Sequence, residues 1–466
     1  PNVTTMSAEW DRPVVIASNR GPLSYRLEHG EPVGRRGGGG LVSGLAPLVE
    51  QGRATWIAAA LSDGDRAAVR AGITSADGLS AHLLDLDPED HRLAYDLISN
   101  ETLWFVHHGL FDLTRSPAYD ATWWDAWAAY RRVNHRFADA VVELSPPGSV
   151  VLVQDYHLTL LAPSVRERRP DLSLVHFHHT PFAGPDGMRV LPPAARQEML
   201  SSLAAHDACG FHTEQWCSNF RDVLTHWPPT TGDARVFASS LSSDAAALRR
   251  TAASEECERS LHALEATVGD RRLIVRVDRM ELSKNIVRGF QAYDVLLAQR
   301  PDLRGAVTFL ACCYPSREGV AAYGVNLDEV EAAAAAVNER WGTPDWQPVQ
   351  LETDDDYPRS VAALRRSDVL VVNPVRDGLN LVAKEGPLVN ERHGQLVLST
   401  EAGAHDELSS AVDGIHPFDL VATAAAMGAA LDRGDDERRE RAERLRALVE
   451  RRTPADWLAD QLAAAG

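Results

Sequence analysis

Cysteine, positive charge and long apolar runs are all in short supply, and each shortage narrows what the chain can be. Its 466 residues hold five cysteines, Cys209, Cys217, Cys257, Cys312 and Cys313, with no C-x-x-C pair among them. That speaks against a disulfide-stapled scaffold or a cysteine-rich zinc site, and the five read as buried or free thiols of a reducing cytoplasm. Lys and Arg total 47 against 66 Asp and Glu, a formal net charge of -19, which argues against nucleic acid or an anionic membrane as partner. A small anionic substrate stays open, because a few local cations can dominate one cleft. No apolar run approaches the roughly 20 residues needed to span a bilayer. The segment from Pro1 to Asp11 lacks a basic start and an apolar core, so no secretory signal is visible and the expected location is cytoplasmic.

What is present is a long alternation of short apolar runs with helical stretches. A chain this long exceeds one comfortable core, so two domains are the default. Strand candidates are Pro13–Ser18, Val150–Gln154, Leu172–Phe177 and Ala208–His212, then Leu273–Val277, Val307–Cys312, Val369–Val372 and Leu396–Leu398. Amphipathic helices such as Ala126–Val142 and Asn285–Gln299 lie between them. Continuous apolar strands alternating with helices predict an α/β fold of parallel sheets, as two Rossmann-like domains facing each other across a cleft. Pro228-Pro229, Gly232 and a Ser-rich patch place the boundary near residue 237. The expected division is 1–237 and 238–445, with a C-terminal helix in 446–466 packing back on the first domain. Arg433–Arg452 alternates acids with arginines and predicts an exposed helix laced with i,i+4 pairs.

Chemistry concentrates at strand ends. Arg376 to Glu385 (RDGLNLVAKE) follows the apolar strand Val369–Val372. A turn with Gly378 between a strand and a helix lets backbone N–H groups face an anion, and Glu385, about two turns on, is placed to accept from ribose hydroxyls. Arg279 and Lys284 follow the strand Leu273–Val277, where two cations can neutralise a diphosphate leaving group. Ser18-Asn19-Arg20 and Asp155-Tyr156-His157 end two further strands, the position at which open α/β sheets hold ligands. Arg20 can take a phosphate in bidentate fashion, and Asp155 can orient an acceptor hydroxyl or amine. Of His176, His178 and His179, one functional histidine at the strand end is a better reading than a metal site, because the spacing matches no zinc pattern. Asp354-Asp355-Asp356 reads as solvated acids with a helix cap, so no essential metal is expected. Gly37-Gly38-Gly39-Gly40 fits neither a Walker loop nor a dinucleotide fingerprint, and reads as a mobile turn or a loop closing over a ligand.

Together these motifs resemble the trehalose-6-phosphate synthases, retaining glycosyltransferases of family 20 with a GT-B fold. The likeness runs from about Val14 to Leu408 and takes in Ser18–Arg20, the glycine run and Asn100–Trp104. It continues through Asp155–Leu158, His179–Phe182, Asp207–Thr213, Arg279–Lys284, Ser316-Arg317 and Asp377–Glu385. The resemblance implies that Arg279 and Lys284 hold the donor diphosphate with the backbone at Gly378, Leu379 and Asn380. It implies further that Glu385 binds the donor ribose, Asp377 the transferred ring, and His179 lies beside its reacting carbon. Arg20, Tyr95 and Arg317 would grip the acceptor phosphate, with Asp155 at the acceptor's reactive group.

Departures from the pattern fall mainly on the acceptor side. The family's Trp-x-Gly-Trp appears as Trp56-Ile57-Ala58-Ala59, the proline after Leu103-Trp104 is Phe105, and the glycine after the motif lysine is Asn285. An unaltered donor set with an altered acceptor set resembles the pseudo-glycosyltransferase branch, the validoxylamine A 7'-phosphate synthases of validamycin biosynthesis. That likeness implies coupling of GDP-valienol to validamine 7-phosphate through a C–N bond with retention, without cofactor or metal. The alternatives are a trehalose-6-phosphate synthase using GDP-glucose or another nucleotide sugar, and an inactive sugar-phosphate sensor. A homodimer is left open.

Overall fold

The structure, a computed structural model, describes residues 12–37, 40–317 and 319–466. Its first half carries β1 (Val14–Ser18), β2 (Leu23–Glu28), β3 (Glu31–Arg36), β4 (Ala54–Ala59), β5 (Ser75–Ala76), β6 (Leu79–Ser80), β7 (His82–Leu84), β8 (Val150–Gln154), β9 (Ser173–His178), β10 (Ala208–Phe211) and β11 (Arg235–Ala238). The second half carries β12 (Arg272–Arg279), β13 (Val307–Tyr314), β14 (Val349–Glu352), β15 (Val369–Val372), β16 (Gln395–Ser399) and β17 (Asp413–Ile415). One seven-stranded parallel sheet has the order β11-β10-β9-β8-β1-β4-β7, and one six-stranded parallel sheet the order β14-β13-β12-β15-β16-β17. The central strands of the seven-stranded sheet, VVIAS at β1 and VVLVQ at β8, are buried throughout. A strand covered on both faces needs a continuous apolar run, and β-branched residues suit its pleat.

The chain divides into two compact units, one formed by the described residues up to Leu241 with Thr453–Gly466, the other by Ser242–Arg452. Residues 446–452, expected to return with the last helix, stay in the second unit. The helix Asp435–Val449 buries Leu445 and Val449 there, and Arg446 donates to the carbonyls of Pro387 and Asn390. This helix is largely exposed, as expected, but its arginines do not pair mainly along its own length. Arg438 is buried against Asp368, while Arg433 and Arg441 reach Asp413; Arg433–Glu437 at 3.2 Å is the i,i+4 pair that forms among the described residues. Charges that alternate along a helix look self-sufficient until partners arrive from other elements.

Each unit has its own core. In the second, Phe290, Tyr293 and Leu297 of the helix Ile286–Gln299 pack with Phe309 of β13 and with Val330, Val337 and Met427 from two further helices. Phe309 meets Phe290 and Tyr293 edge-on, at centroid distances of 5.5 and 5.4 Å, a geometry the ring quadrupoles favour. In the first, the last helix, Pro454–Ala464, starts from a capping box at Thr453 and Asp456 and buries Trp457, Leu458 and Leu462. The Trp457 ring sits edge-on to Phe177, 5.1 Å between centroids. A Cβ on Gly44 would come within 2.9 Å of it, so only glycine admits the indole. All five cysteines are buried and free. No helix among the described residues is long and apolar enough to cross a membrane.

Candidate functional site

In an open parallel sheet, ligands gather at the carboxyl ends of the two strands between which the chain reverses its direction of growth. In the first unit those strands are β1 and β8. Asn19 and Arg20 follow one, and Asp155 follows the other. Asp155 has φ 71° and ψ 172°, a region that belongs to glycine and costs a larger residue of order 1–3 kcal/mol. What holds it is local. Its backbone N–H donates to the Phe177 carbonyl at 2.7 Å, and its Oδ1 accepts from the N–H groups of Tyr156 (3.0 Å) and His179 (3.3 Å). The carboxylate therefore clasps the ends of β8 and β9 together.

His179 is partly exposed just beyond β9, with its Nε2 3.0 Å from Oε1 of Gln154. Burial holds its imidazole pKa down to about 3, so the ring is neutral. His176 and His178 share the opposite orientation and are fully buried, with pKa values pushed well below the usual range by burial; they belong to the core.

Arg20 is exposed. Tyr95 lies on Leu93–Leu103, which winds as a π-helix, a rare form that concentrates at functional sites. Its ring is stacked between His91 and His157, 5.6 Å from each, and His91 Nε2 meets Asn19 Oδ1 at 3.2 Å. Sequence reasoning missed this stack, although the i,i+4 spacing of His91 and Tyr95 was there to be read. Beside it, Trp56 is buried and donates from Nε1 to Ser18 Oγ at 2.7 Å, and Ala59 N–H donates to the Asn19 carbonyl. Ala58 interlocks with Gly21, where an added Cβ would fall 2.8 Å from the alanine methyl. The altered Ala58–Ala60 stretch is thus buried next to the end of β1.

In the second unit the reversal lies between β12 and β15. The loop after β12 is held from below by Arg276, which is fully buried, pairs with Asp278 at 2.7 Å and donates to the carbonyls of Lys284 and Ile286. Gly289 leaves room for that guanidinium, since a Cβ there would lie 2.5 Å from it. Asn285 adopts φ 60°, ψ 38°, the left-handed conformation that asparagine tolerates best after glycine. Its amide donates to the carbonyls of Asn373 (2.9 Å) and Pro417 (2.8 Å), which explains how it stands in for the family's glycine.

Lys284 Nζ meets Asp377 Oδ2 at 2.6 Å, and Asn380 Nδ2 donates to the same oxygen at 3.1 Å. Burial alone would lower the Lys284 pKa, but Asp377, Asp278 and Glu281 together raise it, so the ammonium is charged. Arg279 is exposed, with Nη2 3.0 Å from Oε1 of buried Glu281, which also faces Arg317 at 3.8 Å. Arg317 has φ 52° and donates to the Tyr323 hydroxyl at 2.6 Å. Arg317 therefore belongs to the second unit's cluster, whereas Arg20 and Tyr95 belong to the first unit.

Gly378, Leu379 and Asn380 are buried, and Leu379 N–H points to Asp377 Oδ1 at 3.4 Å. The helix starts only at Val382, so Glu385 sits in its first turn rather than two turns in. Among the described residues the Glu385 carboxylate has no hydrogen-bond partner, and burial pushes its pKa up to about 7. Asp354, Asp355 and Asp356 are exposed, Asp356 capping Tyr357–Arg366. No group of three or more His, Cys, Asp or Glu side chains among the described residues is placed to hold a metal ion. Gly38 and Gly39 of the glycine run lie outside the described residues.

Exposed Arg279 with ammonium-bearing Lys284 can take a diphosphate, and an unpartnered carboxylate can take a diol. The first unit offers a neutral imidazole, a carboxylate and an exposed guanidinium.

The model of the family described as Glycosyltransferase family 20 matches residues 12–465. A trehalose-6-phosphate synthase of Mycobacterium avium is 32% identical over 460 residues, covering 93% of this chain and 91% of that protein. A validamine 7-phosphate valienyltransferase of Streptomyces hygroscopicus subsp. jinggangensis is 29% identical over 474 residues, covering 96% and 93%. The crystal structure of an α,α-trehalose-phosphate synthase (UDP-forming) from Burkholderia vietnamiensis superposes with a TM-score of 0.85 at 28% identity, covering 97% of this chain and 99% of that one.

Proposed function

Because the chain belongs to glycosyltransferase family 20 and has the GT-B fold, we propose that it is a retaining transferase of the trehalose-6-phosphate synthase kind, moving a nucleotide-linked hexose onto a sugar phosphate. The observation that carries this reading is the second unit's strand-end set: Arg279, the Lys284–Asp377 pair and the partnerless Glu385. Arg279 and Lys284 take the donor diphosphate, with the backbone at Gly378, Leu379 and Asn380. Glu385 accepts from the ribose hydroxyls, and Asp377 from the transferred ring. In the first unit His179 addresses the transferred ring, Asp155 orients the attacking group, and Arg20 with Tyr95 binds the acceptor phosphate. The bond from the anomeric carbon to the diphosphate oxygen breaks as the acceptor's bond forms on the same face, and the acceptor proton passes to the departing phosphate or to Asp155. Arg279 and Lys284 supply the positive charge the leaving group needs, so the reading requires no metal.

A second reading, coupling of GDP-valienol to the amine of validamine 7-phosphate, is favoured by one observation. Ala58-Ala59 is packed beside Asn19 where the family pattern carries Gly-Trp, so the end of β1 lacks the second tryptophan of that pattern. Mass spectrometry of products from separate donor–acceptor pairs tests both. Trehalose 6-phosphate from UDP- or GDP-glucose with glucose 6-phosphate supports the first reading; a coupled amine from GDP-valienol with validamine 7-phosphate alone replaces it with the second. Nucleotide binding without turnover of any pair refutes both and leaves a sensor.

A further inference from the structure

We infer that Gln461, on the last helix of the first unit, is a positioning residue that sets the tautomer of His179 through Gln154. The inference rests on the reading of His179 as a group that addresses the transferred ring. Gln154 is the last residue of β8, and its side chain is fully buried, as is that of Gln461. Gln154 Nε2 donates to Gln461 Oε1 at 3.0 Å, and Gln154 Oε1 lies 3.0 Å from His179 Nε2.

A primary amide has donors at one end and an acceptor at the other. Once its donor end is spent on Gln461, only its oxygen faces the imidazole, so His179 must carry its proton on Nε2. Nδ1 is then a lone-pair acceptor, and among the described residues it has no hydrogen-bond partner. An acceptor nitrogen of a neutral ring suits a hydroxyl on the transferred ring. The opposite tautomer would present N–H there and favour an oxygen acceptor instead. Three rings pack against the imidazole, Phe177, His212 and Trp457, at 5.0, 5.2 and 5.6 Å between centroids. Among the described residues Gln461 Nε2 is buried without a partner, so no further side chain continues the relay. The same helix docks independently through Asp460, whose Oδ2 accepts from Ser239 Oγ at 2.7 Å.

The test uses the full chain labelled with 15N-histidine. The His179 ring signals are picked out of the 17 histidines by their loss in His179→Gln, and long-range proton–nitrogen correlations read the tautomer. Wild type shows protonated Nε2. Gln461→Glu keeps a carboxyl oxygen as the acceptor for the Gln154 amide, so it keeps that pattern and wild-type turnover. Gln461→Leu frees the Gln154 amide to rotate, mixes the tautomers and lowers kcat about tenfold with KM for both substrates within about twofold, the worth of one hydrogen bond. Asp460→Ala loosens the helix without touching Gln154 and keeps the wild-type pattern. An unchanged pattern in Gln461→Leu, or a switched one in Gln461→Glu, overturns the relay. If no substrate pair is turned over, the proposed function fails while the nitrogen signals still decide the relay.

Discussion

Substituting Glu385 by glutamine turns the electrostatics of the nucleotide site into a measurable pH dependence. The carboxyl is pushed up to about 7 by desolvation in a half-buried position, with no hydrogen-bond partner among the described residues. A ribose diol donates two hydrogen bonds, and the ionised carboxylate accepts them far better than the acid does. With a pKa of about 7 the group is about 10% ionised at pH 6 and about 90% at pH 8. Affinity for a nucleoside diphosphate should therefore rise about ninefold over that interval, beyond any change from the phosphate's own titration. Glu385→Gln removes the carboxyl and keeps the phosphate, so the ratio of wild type to variant isolates the effect.

Calorimetric titration at pH 6, 7 and 8, in buffers of different ionisation enthalpy, gives affinity and protons released together. Wild type should release about half a proton more than the variant at pH 7. Stability moves with the opposite sign. The native state keeps a proton that the unfolded chain gives up above its ordinary value of 4.5, so stability falls as pH rises from 4.5 to about 7 and is level beyond. The variant escapes that loss, at most about 3 kcal/mol. Parallel pH slopes and equal proton counts for the two proteins would refute the assignment of Glu385 to the ribose.

Lys284→Ala should lower turnover on the order of a hundredfold or more and leave the acceptor KM within about twofold, since it acts on the leaving group; near-normal kcat would remove Lys284 from that role. Asn285→Ala should destabilise the second unit by about 1 kcal/mol more than Asn285→Gly, because both lose the amide's bonds but alanine alone is strained at φ 60°. Equal urea midpoints for the two would contradict this. His107 and His206 are buried with pKa values held down by burial to about 3 and about 4. The unfolded chain takes up protons near 6.5, so stability is full above that pH and drops as pH falls toward 4, by about 2 kcal/mol per histidine at pH 5. Pulse proteolysis at pH 7 and 5 should show this loss in the first unit, smaller by that amount in His107→Leu.

The parts of the fold that were legible in the sequence are those where one residue pattern has one structural meaning. Val150–Gln154 and Val369–Val372 are central strands with apolar residues on both faces, and the expected bounds match the observed ones residue for residue. Ala54–Ala59 escapes a sequence reading because alanine carries little strand signal, and Asp413–Ile415 because a three-residue edge strand opens on a charge. Candidate site residues could be found because they sit where an apolar run stops abruptly at Asp155, Arg279 or Asp377. The strain at Asp155 could not, since nothing in the letters Gln-Asp-Tyr announces a glycine-like φ. His157 in the aromatic stack and Gln461 behind His179 were also out of reach, brought to their places by contacts 62 and 307 residues apart in sequence.

The return of Thr453–Gly466 to the first unit also has a temporal side. Ribosomal synthesis is vectorial, at roughly 5–20 residues per second. After Leu241 has been made, the whole second unit must be translated before Trp457 and Gln461 exist, an interval of roughly 10–40 s at that pace. Through that interval the pocket around Gly44, Phe177 and Gln154 lacks its plug, and a sticky apolar surface is open to solvent and to other nascent chains. The second unit, an uninterrupted stretch, can fold as it emerges. The inserted unit thus matures before its host, and chaperone dependence should concentrate on the segment synthesised first.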